Sequence, residues 1–543
     1  MTSRGSALRR PAWLASGAAL LTLAVTRAAI AQHPQTMPKK MAGSGALAQF
    51  FRELDHGFGE HVVHPIASVL FWDVAFWDNG EPHEVKLPFI VCWLILWAVF
   101  FTLRFRFINL RAFTHAIRVV RGDYDRPGDT GDVSHFQALS SALSATVGLG
   151  NIAGVAVAVG VGGPGAVLWM VLAGFLGMSS KFAECTLGQI YREVDEHGHI
   201  SGGPMRYLRA GLTDLGMPKV GAFAAGLFAV LCVVSSFGGG NMFQANQSYA
   251  QVANNLPIFL GSGGALAYGI ILAILVGVVI LGGIKRIGVV AGYVVPLMCG
   301  VYLIAGAIVI AANLKEAHEA LMSIIDLAFA PKAAYGGIAG VLITGFQRAA
   351  FSNEAGVGSA AIAHSAASTE EPVREGIVAS LGPFIDTVIV CTMTGIVVVI
   401  SGAYKNPAAE GVVMTSNAFA TVLPWFPEVL AVAVFLFAYS TMISWSYYGE
   451  RCWAYLFGTR TSVIYKALFL VFVVLGSVLK LGNVLDFSDL LLLGMSLPNL
   501  FGVVLLSNKI GRALKDYWSR YTGGEMPTER ERALRAAGAD ELG

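Results

Sequence analysis

The chain has 543 residues, 55% of them hydrophobic and only 13% charged, with a formal net charge of +2. A soluble domain could not hide that much apolar surface, so the solvent is a bilayer. So small a net charge argues against a nucleic-acid partner.

The first 31 residues stand apart: a basic start (MTSRGSALRR), a short apolar run (WLASGAALLTLAV) and small residues before Gln32 (AAIA). Residues 1–31 read as a secretory signal peptide, with an uncleaved extra helix as the alternative. Residues 32–86 then form an extracytoplasmic, partly amphipathic lead-in that ends in FWDVAFWDNG. Its histidines His56, His61 and His64 fit an amphipathic surface segment better than a metal site. The six cysteines are scattered singly through apolar segments and read as small buried hydrophobes.

A spanning helix needs about 20 apolar residues. Eleven candidates lie near 87–108, 137–160, 164–191, 220–250, 266–284, 288–313, 335–364, 374–401, 426–456, 461–481 and 485–507. The shorter apolar segment 411–423 is placed as a helix lying in an outer loop. The transmembrane domain is thus 87–508, and 509–543 is a cytoplasmic tail. Arg104, Arg106, Arg111, Arg118, Arg121 and Arg126 follow the first span, and later alternate loops are also basic. The opposite loops hold little more than Lys315, Lys332, Lys405 and Lys480. The bias places the mature N-terminus outside and the C-terminus in the cytoplasm of a bacterial inner membrane.

Two spans have weak interiors: SATVGLGNIAG (144–154) and FQRAAFSNEAGVGSAAIAHSAA (346–367). With the first span set aside, they open two blocks of five helices each, which inverts the second block. The expected fold is therefore an all-α membrane protein with a five-plus-five inverted-repeat core, discontinuous at its first and sixth core helices. Breaks are tolerated at membrane depth only where the freed backbone groups find partners. Half-helix N-termini favour a carboxylate and C-termini a cation, so a small zwitterion with Na⁺ would use both. Close helix packing is the alternative use of the glycines, and it suits Gly160, Gly162, Gly163 and Gly165.

The region from SHFQALSSALSATVGLGN through FAECTLG resembles the alanine or glycine:cation symporter family. GGPMRYL (202–208), GGGNMFQANQ (238–247), FSNEAGVGSAAIAH (351–364), GPFIDTVIVCTMTG (382–395) and STMISWSYYGE (440–450) resemble it in the same order. The resemblance covers about 90–510 and implies import of alanine, glycine or a similar small amino acid with Na⁺ or H⁺. It departs at Leu149, where many members have Thr; VGLGN there is similar to the unwound first helix of neurotransmitter:sodium symporters.

That likeness implies that Leu149 and Gly150 present backbone N–H groups to a substrate carboxylate, with Gly148 and Gly150 allowing close approach. Asn151 would offer its amide oxygen to a cation or to the substrate ammonium, or bond between helices. The carbonyls of Val147 and Gly150, with the Ser440 and Thr441 hydroxyls, would form a hard-oxygen Na⁺ site; each hydroxyl could equally bond back within its helix. Asn241 and Gln244 are polar groups within a span, and Gln244 would line the site. Phe351, Ser352, Asn353, Glu354 and Gly356 form the second break. Glu354, an ionisable group at depth, could meet the ammonium, draw the cation or carry a proton, or pair with Arg348. Trp445 would cap a small pocket or anchor at the interface. Asp386 would pair with Arg348 or Lys181 in an inner gate, while Lys181 and Glu184 could satisfy each other.

The sequence carries no nucleophile–His–acid set, HExxH, CxxC or P-loop, so an enzyme is not expected, and no cofactor beyond the coupling ion. A channel is disfavoured because two unlike breaks lie in one chain. A proton-coupled symporter, an exchanger or an exporter would share these features.

Overall fold

The computed structural model describes residues 46–74, 87–126, 128–194, 200–281, 283–329, 337–406, 410–529 and 531–532. The expected signal peptide lies outside the described residues. Among the described residues, every regular element is helical apart from one antiparallel ribbon, Glu193–Val194 with Ile200–Ser201.

Eight helices among the described residues are long and apolar enough to cross a bilayer: Ala166–Ile190, Pro218–Asn255, Gly261–Ile280, Ile287–Ala312, Pro372–Ser401, Phe426–Phe457, Thr459–Val478 and Leu481–Leu505. The pair His135–Thr146 and Gly150–Gly162 passes only as one span bent by 51°. Two expected spans are shorter. Phe89–Arg104 has 16 residues and Gly337–Asn353 has 17. At 1.5 Å per residue, 16 residues reach about 24 Å, short of a hydrocarbon core of about 30 Å. The second stops where Glu354 takes φ +55°.

The helices sort by side-chain size. Gly261–Ile280 turns Ile270, Ile271, Ile274 and Val278 outward, where lipid would cover them. Its inward Gly269 lies so close to Ser477 that a Cβ would stand 2.3 Å from the hydroxyl. Small residues let neighbouring backbones approach, which is how helices gain contact without a hydrophobic drive. Five of the six cysteines are buried, and Cys92 is partly so. His364 is packed: its Nδ1 meets Glu375 Oε1 at 2.5 Å, and His135 takes the other carboxylate oxygen.

The described part of the lead-in is helical, as Ala46–Phe58, a wide turn Gly59–Val63 and His64–Leu70. The tail begins as an amphipathic helix, Ser507–Thr522, whose Ile510, Leu514 and Tyr517 are buried. Arg520 clamps Glu371 with two bonds of 2.7 and 2.8 Å.

Tyr517 also meets His115 at 2.7 Å, on the short helix Phe113–Val120 outside the spans. Burial, then the charges of Arg374 and Arg118, hold the His115 imidazole at about 4, below its ordinary 6.5. Below pH 6.5 the unfolded chain binds a proton that the folded one refuses, so stability falls as pH drops from 6.5 towards 4. The loss approaches about 3 kcal/mol at the acid end. His115→Gln is expected to flatten that part of the melting-temperature profile in detergent.

Candidate functional site

The first break lies where three residues leave the helix. Val147 is extended (φ −76°, ψ 91°), and the chain re-enters through a wide turn, Gly150–Gly154. The freed groups are taken by side chains. The Gly148 N–H donates to Asn151 Oδ1 at 2.8 Å, and the Leu149 N–H to Gln244 Oε1 at 3.3 Å. The Ile152 carbonyl accepts from the Thr415 hydroxyl at 2.9 Å. Thr415 sits on helix Gly411–Ala420, the segment expected to lie in an outer loop. That helix is buried along most of its length, and its Thr415 serves the first break.

The second break begins at Glu354, a non-glycine residue in the left-handed region. Such a conformation is costly and persists where surroundings over-determine it. The Glu354 carboxylate accepts from Trp445 Nε1 at 3.0 Å and from the Ser359 hydroxyl. Asn353 Oδ1 accepts from the Ala355 N–H at 2.9 Å, and the Gly356 carbonyl accepts from Asn499 at 2.9 Å. Gly356 and Gly358 take φ +86° and +92°, and helix Ala360–His364 follows.

The two breaks touch. A Cβ on Gly150 would stand 3.3 Å from the Ser352 backbone. Between them is a small cavity of about 10 Å³, lined by Gly150, Gln244, Phe351, Glu354, Trp445 and Leu492, among others. That is room for about one water. Trp445 is a wall of this cavity rather than an interfacial anchor, and its ring lies against Gly240, where a Cβ would be 2.3 Å away.

Asp386 was expected near an inner gate, paired with Arg348 or Lys181. It is found against the first break, fully buried. The wide turn Phe384–Cys391 that carries it packs against the Gly150–Gly154 turn. Asn151 donates to its Oδ1 at 2.6 Å and to its carbonyl at 3.0 Å. Ser352 and Thr387 donate to Oδ2 at 2.9 and 2.7 Å. Asn353 reaches the same group through Thr387, at 2.9 Å. Every donor to this carboxylate is neutral. The signal in the sequence was a lone acid in an apolar span, the same signal that singled out Glu354.

Arg348 bonds to Asp489, not to Glu354 or Asp386. Six positions separate Arg348 from Glu354 in the sequence, which places them on different helix faces. Lys181 and Glu184 do not hydrogen-bond to each other: Glu184 accepts from Asn499 at 2.8 Å, while Lys181 Nζ has no hydrogen-bond partner. Asn241 turns away from the cavity and donates to the Phe469 carbonyl at 2.7 Å. Gln244 lines the cavity.

Ser440 and Thr441 stand beside the first break. Thr441 donates to the Ser144 carbonyl at 3.0 Å, Ser144 donates to the Ser440 carbonyl at 3.0 Å, and a Cβ on Gly148 would lie 2.5 Å from Thr441 Oγ1. Ser440 bonds back to Phe437 at 3.1 Å. A hydroxyl that donates its proton keeps lone pairs for another partner.

A family model described as the sodium:alanine symporter family matches residues 80–531. The chain belongs to that family. That membership supports cation-coupled amino-acid transport by a multi-pass membrane protein. A sodium/alanine symporter, AgcS, from Methanococcus maripaludis is 40% identical over 427 residues, covering 78% of this chain and 92% of that one. A probable sodium/glutamine symporter, GlnT, from Bacillus subtilis is 34% identical over 472 residues, covering 86% and 92%. Among solved structures, MhsT in complex with L-phenylalanine overlaps at a TM-score of 0.48 and 16% identity, over 70% of this chain and 90% of that one.

Proposed function

We propose that this chain imports a small neutral amino acid, alanine or glycine, together with Na⁺, by alternating access across a bacterial inner membrane. The observation that carries the reading is the Asp386 cluster: a fully buried carboxylate held by neutral donors where the two breaks meet. A buried charge of that kind is costly unless compensated, and a bound cation compensates it. Ser352 brings its hydroxyl oxygen to the same point, while Asn151 turns its amide nitrogen there and its oxygen to the Gly148 N–H. Val147, Gly150, Ser440 and Thr441 offer a second set of hard oxygens, which suits Na⁺ rather than a softer metal.

The amino acid would bind in the cavity between the breaks. Leu149 and Gly150 would take its carboxylate, with Gln244 releasing the Leu149 N–H. Glu354 would face its ammonium, and Phe351 and Trp445 would limit its side chain. The cavity as it stands holds about one water, so any amino acid enters it only as the walls move apart. In this reading the chain crosses the membrane eleven times, with two inverted blocks of five after the first span. Residues 1–31 are removed, 32–86 lie outside, and 509–543 are cytoplasmic.

Melting temperature in detergent tests the reading. L-alanine at saturating concentration is expected to raise it in NaCl and to leave it unchanged in KCl, since a ligand stabilises only the state that binds it. A rise of equal size in both salts would remove Na⁺ from the site.

A further inference from the structure

Residues 46–70 precede the stretch that the family model matches, which begins at residue 80. They are nonetheless docked, and the docking follows one helix, Leu481–Gly494, from end to end. At its start Asp55, buried, accepts the Lys480 N–H at 3.0 Å. Its other oxygen lies 3.4 Å from Lys480 Nζ, and its carbonyl accepts from Asn483 at 2.9 Å. The Phe58 ring meets Phe487 edge-on at 5.0 Å. Gly59 comes so close to Asn483 that a Cβ would be 3.0 Å from its amide oxygen. At the far end Leu70 lies against Gly494.

The same helix closes the cavity. Leu492 is part of the wall. Asp489 holds Arg348, and accepts from Gln347 at 2.9 Å. The Arg348 guanidinium lies 5.4 Å from the Phe351 ring, and Phe351 lines the cavity. Asp55, the helix, the Arg348–Asp489 pair, Phe351 and the cavity therefore stand in series.

We propose that residues 46–70 are a brace that keeps helix Leu481–Gly494 closed over the transport cavity, with Asp55 as its positioning residue. The proposal rests on the cavity being the transport site. Opening on this side separates Asp489 from Arg348 and moves the helix against its brace. Contacts made only in the closed arrangement bias the equilibrium towards it. Losing one such hydrogen bond shifts that balance about fivefold.

Thiol labelling tests this without a substrate. In a Cys92→Ser, Leu492→Cys background, a membrane-impermeant thiol reagent is applied to intact cells, and labelling at position 492 is timed. Asp55→Ala is expected to speed labelling about fivefold and Phe58→Ala to speed it as well. Asp55→Asn, which can still accept the Lys480 N–H, is expected to fall between parent and Asp55→Ala. Buried Cys299, midway along Ile287–Ala312, is the internal control, because general loosening of the fold would expose it too. Parent-like labelling in both Asp55→Ala and Phe58→Ala would overturn the brace, as would equal gains at Cys299. Alanine uptake by the parent is recorded separately: its absence would count against the transport reading, while the labelling rates still decide the brace.

Discussion

Asp386→Ala is expected to cut Na⁺-driven alanine uptake by about 100-fold or more. Removing one partner of a buried, hydrogen-bonded charge site costs about 2–5 kcal/mol, and each 1.4 kcal/mol is a factor of ten. The carboxylate gathers Asn151 from the first break, Ser352 from the second and Thr387 from its own helix. Truncation takes the acceptor from Ser352 and Thr387, leaves Asn151 only the main-chain carbonyl, and removes the negative charge that would attract the cation. Asp386→Asn removes the charge and keeps one of the two acceptor oxygens. That variant is expected to lower the melting temperature in KCl less than Asp386→Ala does, and to lose the alanine-dependent rise in NaCl. Concentration series for Na⁺, run at fixed alanine, check it directly.

Trp445→Ala is expected to weaken alanine transport by about 30-fold in kcat/KM and to let larger neutral amino acids compete. The ring fills the space over Gly240 and its N–H holds Glu354 Oε1 at 3.0 Å. Truncation leaves a buried carboxylate oxygen short of a donor, at about 1–3 kcal/mol, and opens the cavity wall. Trp445→Phe restores most of the volume without the N–H, so it is expected to recover selectivity more than affinity. Gly240→Ala acts from the other side. Its methyl would drive the indole into the cavity, and alanine uptake is expected to fall while the protein still folds. Competition by leucine and glutamine against labelled alanine reads out the selectivity.

The breaks were legible because their composition violates the local rule for a helix in lipid. SATVGLGNIAG and FSNEAGVG put glycines and polar groups where apolar helix formers belong, and both open in the structure. Span lengths were less legible. Hydropathy runs past a helix end, so 87–108 reads as a full span although helix Phe89–Arg104 has 16 residues. The partners of the charged groups were not legible either. Arg348 and Asp489 lie 141 positions apart, and no local pattern links them. Charges at membrane depth must be paired, which limits Arg348 to a few acids but does not choose among them. Asp386 hydrogen-bonds to neither expected partner for a related reason: the wide turn in its own helix faces Asn151, 235 positions away. The role of Thr415 could not be read from a segment that looks like an ordinary outer helix.

The most direct test of Na⁺-coupled amino-acid import is uptake into proteoliposomes. The purified protein is reconstituted, and radiolabelled alanine is followed with an inward Na⁺ gradient against equimolar K⁺, then with a pH gradient alone. The account predicts accumulation above equilibrium that requires Na⁺, is absent in Asp386→Ala and is blocked by excess glycine. Accumulation driven by the pH gradient in the absence of Na⁺ would contradict the assigned ion, and no alanine accumulation under either gradient would contradict the assigned substrate.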